Sequence, residues 1–233
     1  MDGGIAPLAA SVPSITAAEL IDGLGLRTNL PDGRPRVVAA MISSADGRAT
    51  VEGRSVGLGH PQDRAVLRGL RAAADAVLVG AATVRAEGYA NLFDDGPGGL
   101  IAIVTRSGDV PFGVGLFSEP ESRVAVYTDA DVVVPPEVAA QVDVRQGAGP
   151  AALLADMRAR DGIELVLCEG GPTLLREVIA AGLLDDIVLT VAPLLAAGEG
   201  PSVLRGPALD PPGRFTLADT WRADDHLFLH YRA

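Results

Sequence analysis

Five short, nearly continuous apolar runs of strand length constrain this chain more than any other feature: Arg36 to Ile42, Ala76 to Gly80, Leu100 to Thr105, Arg123 to Thr128 and Ile163 to Cys168. A strand with one wet face alternates polar and apolar residues, so runs without alternation suit a sheet covered on both sides. Stretches of helical spacing accompany them. Thr16 and Glu19 have capping-box spacing around Ala17, Ala18, Leu20 and Ile21, and Gly23 and Gly25 close that segment. Pro61 suits a first helical turn, with Val66, Leu67 and Leu70 as the apolar stripe and Arg64, Arg68 and Arg71 on the polar side. Leu153, Leu154 and Met157 predict a helix over 150–160, and Leu174, Leu175, Val178 and Ile179 predict another over 172–181. The repeated order of strand, helix, strand predicts an α/β fold, a mostly parallel central sheet with helices on both faces. Asp186 to Ala192 is again apolar, and 215–221 and 227–231 flank the polar turn Arg222 to His226, which predicts an antiparallel C-terminal hairpin. With no internal repeat and no linker, residues 15–233 are expected to form one domain behind a loose leader, 1–14.

Composition narrows the function. The one cysteine excludes an internal disulfide, and Cys168 sits in an apolar run, where a buried thiol is the expected state rather than a nucleophile. His60, His226 and His230 are the only histidines, so no metal site is expected. A formal charge of -11 without a basic block argues against a nucleic-acid partner. Neither an 18-residue apolar run nor a basic start precedes the apolar N-terminal residues, so a soluble cytoplasmic protein is expected, off the membrane.

Ligands of open α/β sheets collect where parallel strands end. There the chain places Cys168-Glu169-Gly170-Gly171-Pro172-Thr173, whose paired glycines admit close approach of a ligand and whose helix start offers free N–H groups to a phosphate, although tight turns use such pairs too. Gly80-Ala81-Ala82-Thr83-Val84-Arg85 repeats the pattern. Neither is a G-x-G-x-x-G fingerprint, and no phosphate-loop motif occurs. Thr105-Arg106-Ser107 joins a planar cation to two hydroxyls, a set suited to a ribose phosphate and therefore to NADPH over NADH; an ordinary surface arginine is the plain reading. Ser44, Asp46, Gly47 and Arg48 leave the first strand either as a simple turn or as a clamp on the polar edge of a flat heterocycle. Glu87 is a second carboxylate that orients a substrate or relays a proton, unless it is only solvated, and His60 is an acid or a helix cap.

Taken together, AAMISSADGRAT (39–50), HPQDRAVLRGLRAAADAVLVGAATVRAEGY (60–89), IAIVTRSG (101–108), LVLCEGGPTLLREVIAAGLLDDI (165–187) and VAPLLAAG (191–198) resemble the reductase domain of the bacterial riboflavin-pathway deaminase/reductase, of dihydrofolate-reductase-like fold. The resemblance covers about 35–232. It implies a homodimer that uses NADPH to reduce the ribose of 5-amino-6-(5-phosphoribosylamino)uracil, a small-molecule substrate. It also implies that Ser44, Asp46 and Gly47 line the substrate site. Gly80, Ala82, Thr83, Val84, Glu169, Gly170, Gly171, Thr173 and Leu174 would surround the cofactor, with Thr105, Arg106 and Ser107 at its adenosine phosphate. Asp46 and Glu87 are the candidate catalytic carboxylates. Two departures stand out: family members carry a lysine where this chain has Ala40, and an arginine-bearing segment where it has Asn91 to Asp95. Arg48, Arg71 and Arg85 are then the candidates for a substrate phosphate. The zinc signature of the deaminase partner does not occur within these residues. The alternatives are a dihydrofolate or pterin-type reductase and a non-catalytic NADPH-binding regulatory or structural subunit.

Overall fold

A computed structural model describes residues 15–90, 92–93, 98–147 and 149–233; the leader expected over 1–14, and Asn91, Asp94 and Asp95 of the acidic segment, lie outside the described residues. Nine strands form one sheet, β1 (Arg36–Ser44), β2 (Ala76–Gly80), β3 (Leu100–Val104), β4 (Arg123–Tyr127), β5 (Gln141–Arg145), β6 (Leu165–Cys168), β7 (Asp186–Ala192), β8 (Thr216–Ala223) and β9 (His226–Arg232). Their order is β5-β4-β3-β2-β6-β1-β7-β9-β8. Every pairing from β5 to β7 is parallel. The hairpin β8–β9 adds antiparallel to β7, as the sequence predicts. Its strands run closer together than expected, leaving only Asp224 and Asp225 as the turn, with Asp224 at φ 49.

Continuous apolar strands are explained by what lies on either face. Val77 and Val79 of β2, with Ile101 and Ile103 of β3, pack under α1 (Ala17–Gly23), α2 (Pro61–Ala73) and α3 (Ala81–Glu87). Their neighbours Ala76, Leu78, Leu100 and Ala102 point the other way, against α4 (Pro150–Asp161) and α5 (Pro172–Ala180). Because side chains alternate across a strand, both sets must be apolar.

Local signals act as their chemistry requires. The Thr16 hydroxyl accepts the Glu19 amide at 3.2 Å while the Glu19 carboxylate accepts the Thr16 amide at 2.7 Å, closing the capping box. His60 is a cap: its Nδ1 accepts the Gln62 amide at 3.1 Å ahead of Pro61. Cys168 is fully buried, and burial pushes its thiol up to about 12, so it stays a thiol at neutral pH. β5 is the strand the apolar pattern misses. It is an edge strand, Gln-Val-Asp-Val-Arg, mostly exposed, and it needs no continuous apolar run.

Candidate functional site

The chain winds outward from β1 through β2, β3 and β4 to β5, returns to insert β6 between β2 and β1, then adds β7 beyond β1. Such a reversal leaves a crevice outside the C-terminal ends of the strands. A cleft of about 600 Å³ lies there. Its floor is built by three adjacent strand ends. At the end of β2 come Gly80, Ala82 and Thr83, starting with the last residue of the strand, after β3 come Thr105, Arg106 and Ser107, and after β6 come Glu169, Gly171, Thr173 and Leu174. The glycines are there because backbones meet. The Gly80 amide donates to the Gly170 carbonyl at 2.7 Å, and a Cβ on Gly171 would stand 2.7 Å from the Thr83 hydroxyl. Gly170 adopts φ +76, which a side chain disfavours. Val84, in α3, is fully buried in the core, and Gly170 acts through its carbonyl; neither lines the cleft.

Glu87, at the end of α3, also lines the cleft, where its Oε1 accepts the Ser55 amide at 3.0 Å. The 43–47 segment does not line it. Ser43 and Ser44 are buried, and the Asp46 carboxylate is occupied by the Ser44 hydroxyl at 2.5 Å and by the amides of Ala196 and Ala197 at 3.0 and 2.8 Å. Those amides belong to the irregular connection 193–215, which returns Pro201 and Arg205 to the cleft wall. Asp46 is therefore a clamp on that connection.

The Ser44 hydroxyl, then the Ala196 and Ala197 amides, hold the Asp46 carboxyl at about 2. A depressed carboxylate keeps its clamp above the ordinary value of ~3.9 and loses it as pH falls through the folded value. An NMR titration of Asp46 is thus expected to give a midpoint near 2, with the Ala196 and Ala197 amide shifts following the same curve. A midpoint near ~3.9 would mean the clamp is open in solution.

The three arginines considered for a substrate phosphate are engaged elsewhere. Arg71 grips Glu169 in two bonds, Nε to Oε1 at 2.6 Å and Nη2 to Oε2 at 2.8 Å, and does not line the cleft. Arg48 donates to the Gly200 carbonyl at 2.6 Å. Arg85 lines the cleft but pairs with Asp109 at 2.8 Å. Arg106, largely exposed, pairs with Glu177. Sequence reasoning misses Arg205, Glu177, Asp63 and Thr190, which also line the cleft. Arg205 lies in a stretch without periodicity and carries no signal. Asp63 carries one, because with Val66, Leu67 and Leu70 it occupies i, i+3, i+4 and i+7 of α2, which puts a carboxylate on the apolar stripe. Among the described residues no cluster of His, Cys, Asp and Glu could hold a metal ion, and no helix is long and apolar enough to cross a membrane.

Comparison with known proteins agrees with this architecture. A family model described as RibD C-terminal domain matches residues 35–229. The chain is 30% identical over 172 residues, 71% of its length, to the riboflavin biosynthesis protein RibD of Mycobacterium tuberculosis, and it spans 44% of that relative. A pyrimidine reductase-like protein from Corynebacterium diphtheriae superposes with a TM-score of 0.74 at 22% identity, covering 94% of this chain and 98% of that one. RibD of Acinetobacter baumannii gives a TM-score of 0.72 at 25% identity, covering 86% of this chain and 58% of that one. The chain belongs to the RibD C-terminal domain family, with the dihydrofolate-reductase-like α/β fold that its sequence predicts.

Proposed function

We propose that this protein is an NADPH-dependent reductase that transfers hydride to a pyrimidine-linked ribose, as 5-amino-6-(5-phosphoribosylamino)uracil reductase does in riboflavin biosynthesis. One observation carries the reading: the glycine-bearing ends of β2 and β6 and the Thr105-Arg106-Ser107 turn after β3 face one cleft.

The residues present fit a phosphorylated dinucleotide. Gly171 has no room for a Cβ beside the Thr83 hydroxyl and so lines the cleft with bare backbone, and the first turn of α5 begins beside it at Pro172. Thr105 and Ser107 add hydroxyls, and Arg106 adds a guanidinium on an exposed side chain able to leave Glu177 for a phosphate. When bound, NADPH supplies the hydride. The chain's own residues hold the acceptor carbon in line and exclude water, using the walls between Glu87 and α2. Glu87 faces that volume as the candidate to hold or relay a proton at its carboxylate, and Asp46 acts indirectly by fixing the connection that carries Pro201 and Arg205. In this reading residues 15–233 act as one reductase domain in a cytoplasmic homodimer, a state that light scattering checks.

Arg106→Ala is expected to reduce the preference for NADPH over NADH about tenfold, the effect of one charge-assisted hydrogen bond discounted for the exposure of the side chain. Calorimetry with both nucleotides measures it. An unchanged ratio would return Arg106 to the surface. The reaction itself is tested by substrate-dependent loss of NADPH absorbance with the ribosylaminouracil phosphate and dihydrofolate side by side. Oxidation with the former supports the proposal, oxidation with dihydrofolate alone favours the pterin-type reading, and binding of NADPH without oxidation favours the non-catalytic one.

A further inference from the structure

Along the floor of the cleft the strands run in the order β3, β2, β6. Arg106 leaves the turn after β3 and Glu177 stands on α5, the helix after β6, so their ion pair links segments that follow the strands on either side of β2. Glu177 lies one helical turn beyond Thr173, which lines the cleft with it. Its side chain is 21% exposed against 72% for Arg106, which makes the carboxylate the enclosed member of the pair and the guanidinium the freer one. Among the described residues Arg106 is the one cation paired with Glu177. Arg176, its neighbour on α5, donates to the Pro207 and Ala208 carbonyls, and Arg85 pairs with Asp109.

A second, open hollow of about 650 Å³ lies beside the cleft, between α5, the start of α4 and Asp129 after β4. Of the described residues only Arg106 and Glu177 line both spaces, so the pair is the partition between them. A ligand group that reaches this end of the cleft meets both charges together.

A guanidinium already paired with a carboxylate offers an incoming anion no net charge. A phosphate monoester carries about 1.5 to 2 negative charges at neutral pH, so a ribose 2′-phosphate that draws Arg106 toward itself is left facing Glu177. A nucleotide with a free 2′-hydroxyl brings no such charge, and a carboxylate accepts its O–H. The same side chain therefore opposes one cofactor and not the other.

We infer that Glu177 sets the cofactor preference of this cleft: it holds Arg106 in the absence of a phosphate and opposes the 2′-phosphate on arrival, so the preference for NADPH is smaller than Arg106 alone would give. The inference rests on the NADPH reading of the cleft and names the residue that limits the selection.

Calorimetric titrations of the full chain and of Glu177→Gln, at low and high ionic strength, use two matched pairs: NADPH against NADH, and 2′,5′-ADP against 5′-AMP. Within each pair only the 2′-phosphate differs. Glu177→Gln is expected to bind the phosphorylated member about fivefold or more tightly at low salt, with the other member unchanged or weaker, and the gain should shrink as salt rises. Glu177→Ala is expected to give the same gain, so the result does not hang on one variant. Unchanged or reduced affinity for the phosphorylated members in both variants overturns the inference, a reduction meaning that Glu177 only positions Arg106. An equal gain for both members of each pair overturns it as well, because the carboxylate would then act on total charge and not on the 2′-phosphate. Wild-type protein that binds neither NADPH nor 2′,5′-ADP removes the cofactor reading itself, an outcome distinct from wild-type binding that Glu177→Gln leaves unaltered.

Discussion

Replacing Asp186 with alanine is expected to remove about 3–5 kcal/mol of unfolding free energy, the usual cost of breaking one side of a buried charged pair. The Asp186 side chain is fully buried at the start of β7. Its Oδ2 accepts Arg36 Nε at 2.8 Å from β1, and its Oδ1 lies 2.8 Å from His230 Nε2 on β9. His230 is buried as well, with its other ring nitrogen 3.3 Å from Asp219 on β8, so one carboxylate ties together four strands at the parallel-to-antiparallel junction. Burial acts to raise the Asp186 pKa, and the His230 and Arg36 hydrogen bonds overcome it and leave the group below its ordinary value. The sign follows. Stability from Asp186 is fully present above ~3.9 and lost as pH falls through the folded value, so the variant should show a flatter acid limb than the wild type. Urea titrations at several pH values measure both effects. A loss under about 1 kcal/mol, or an unchanged acid limb, would mean that the network contributes no net stability. NADPH affinity should hardly change, since Asp186 sits roughly 13 Å down β7 from Thr190, away from the cleft.

What the sequence made legible divides along physical lines. β2, β3, β4 and β6 are covered on both faces, so burial wrote continuous apolar runs into them, and their glycine, threonine or glutamate ends marked the ligand edge. The Thr16 box and Pro61 were readable because caps act over three or four residues. β5 was not readable, because a strand at the sheet edge with exposed side chains leaves no apolar signature. Asp46 shows a different limit. Its turn chemistry was plain, but the partners of its carboxylate, Ala196 and Ala197, come from a distant connection without periodicity, and only the fold reveals that it clamps backbone. The same holds for Arg71, which the sequence places on the polar side of its helix as a candidate for a substrate phosphate, until the residue after β6, Glu169, is set against it. Arg205 reaches the cleft through that same irregular connection.

Glu169→Ala is expected to cost about 3–5 kcal/mol of stability and at least about tenfold in NADPH affinity. Glu169 follows β6 directly and precedes Gly170 and Gly171, and its side chain is 4% exposed. Both oxygens are taken: Arg71 of α2 binds the two together, and the Tyr89 hydroxyl donates to Oε2 at 2.8 Å. The Arg71 guanidinium also lies 5.5 Å from the centre of the Tyr89 ring. Burial first, then the charge of Glu169, push the Tyr89 phenol well above its ordinary range, so it remains a donor. Removing the carboxylate takes the two-pronged acceptor from a guanidinium that is only 16% exposed and frees α2 and Tyr89 from the glycine turn. Each oxygen of Glu169 already accepts a hydrogen bond from Arg71, and Oε2 accepts a second from Tyr89, which makes Glu169 a positioning residue, and replacing both partners separates that role from direct contact. Arg71→Met with Glu169→Leu removes both charges of this pair and is expected to recover most of the stability, as apolar replacements of buried pairs often do. If the turn is then held by packing, NADPH affinity should recover with it. Recovery of stability without affinity, measured by denaturation and calorimetry on the same samples, would instead make Glu169 a residue that touches the cofactor.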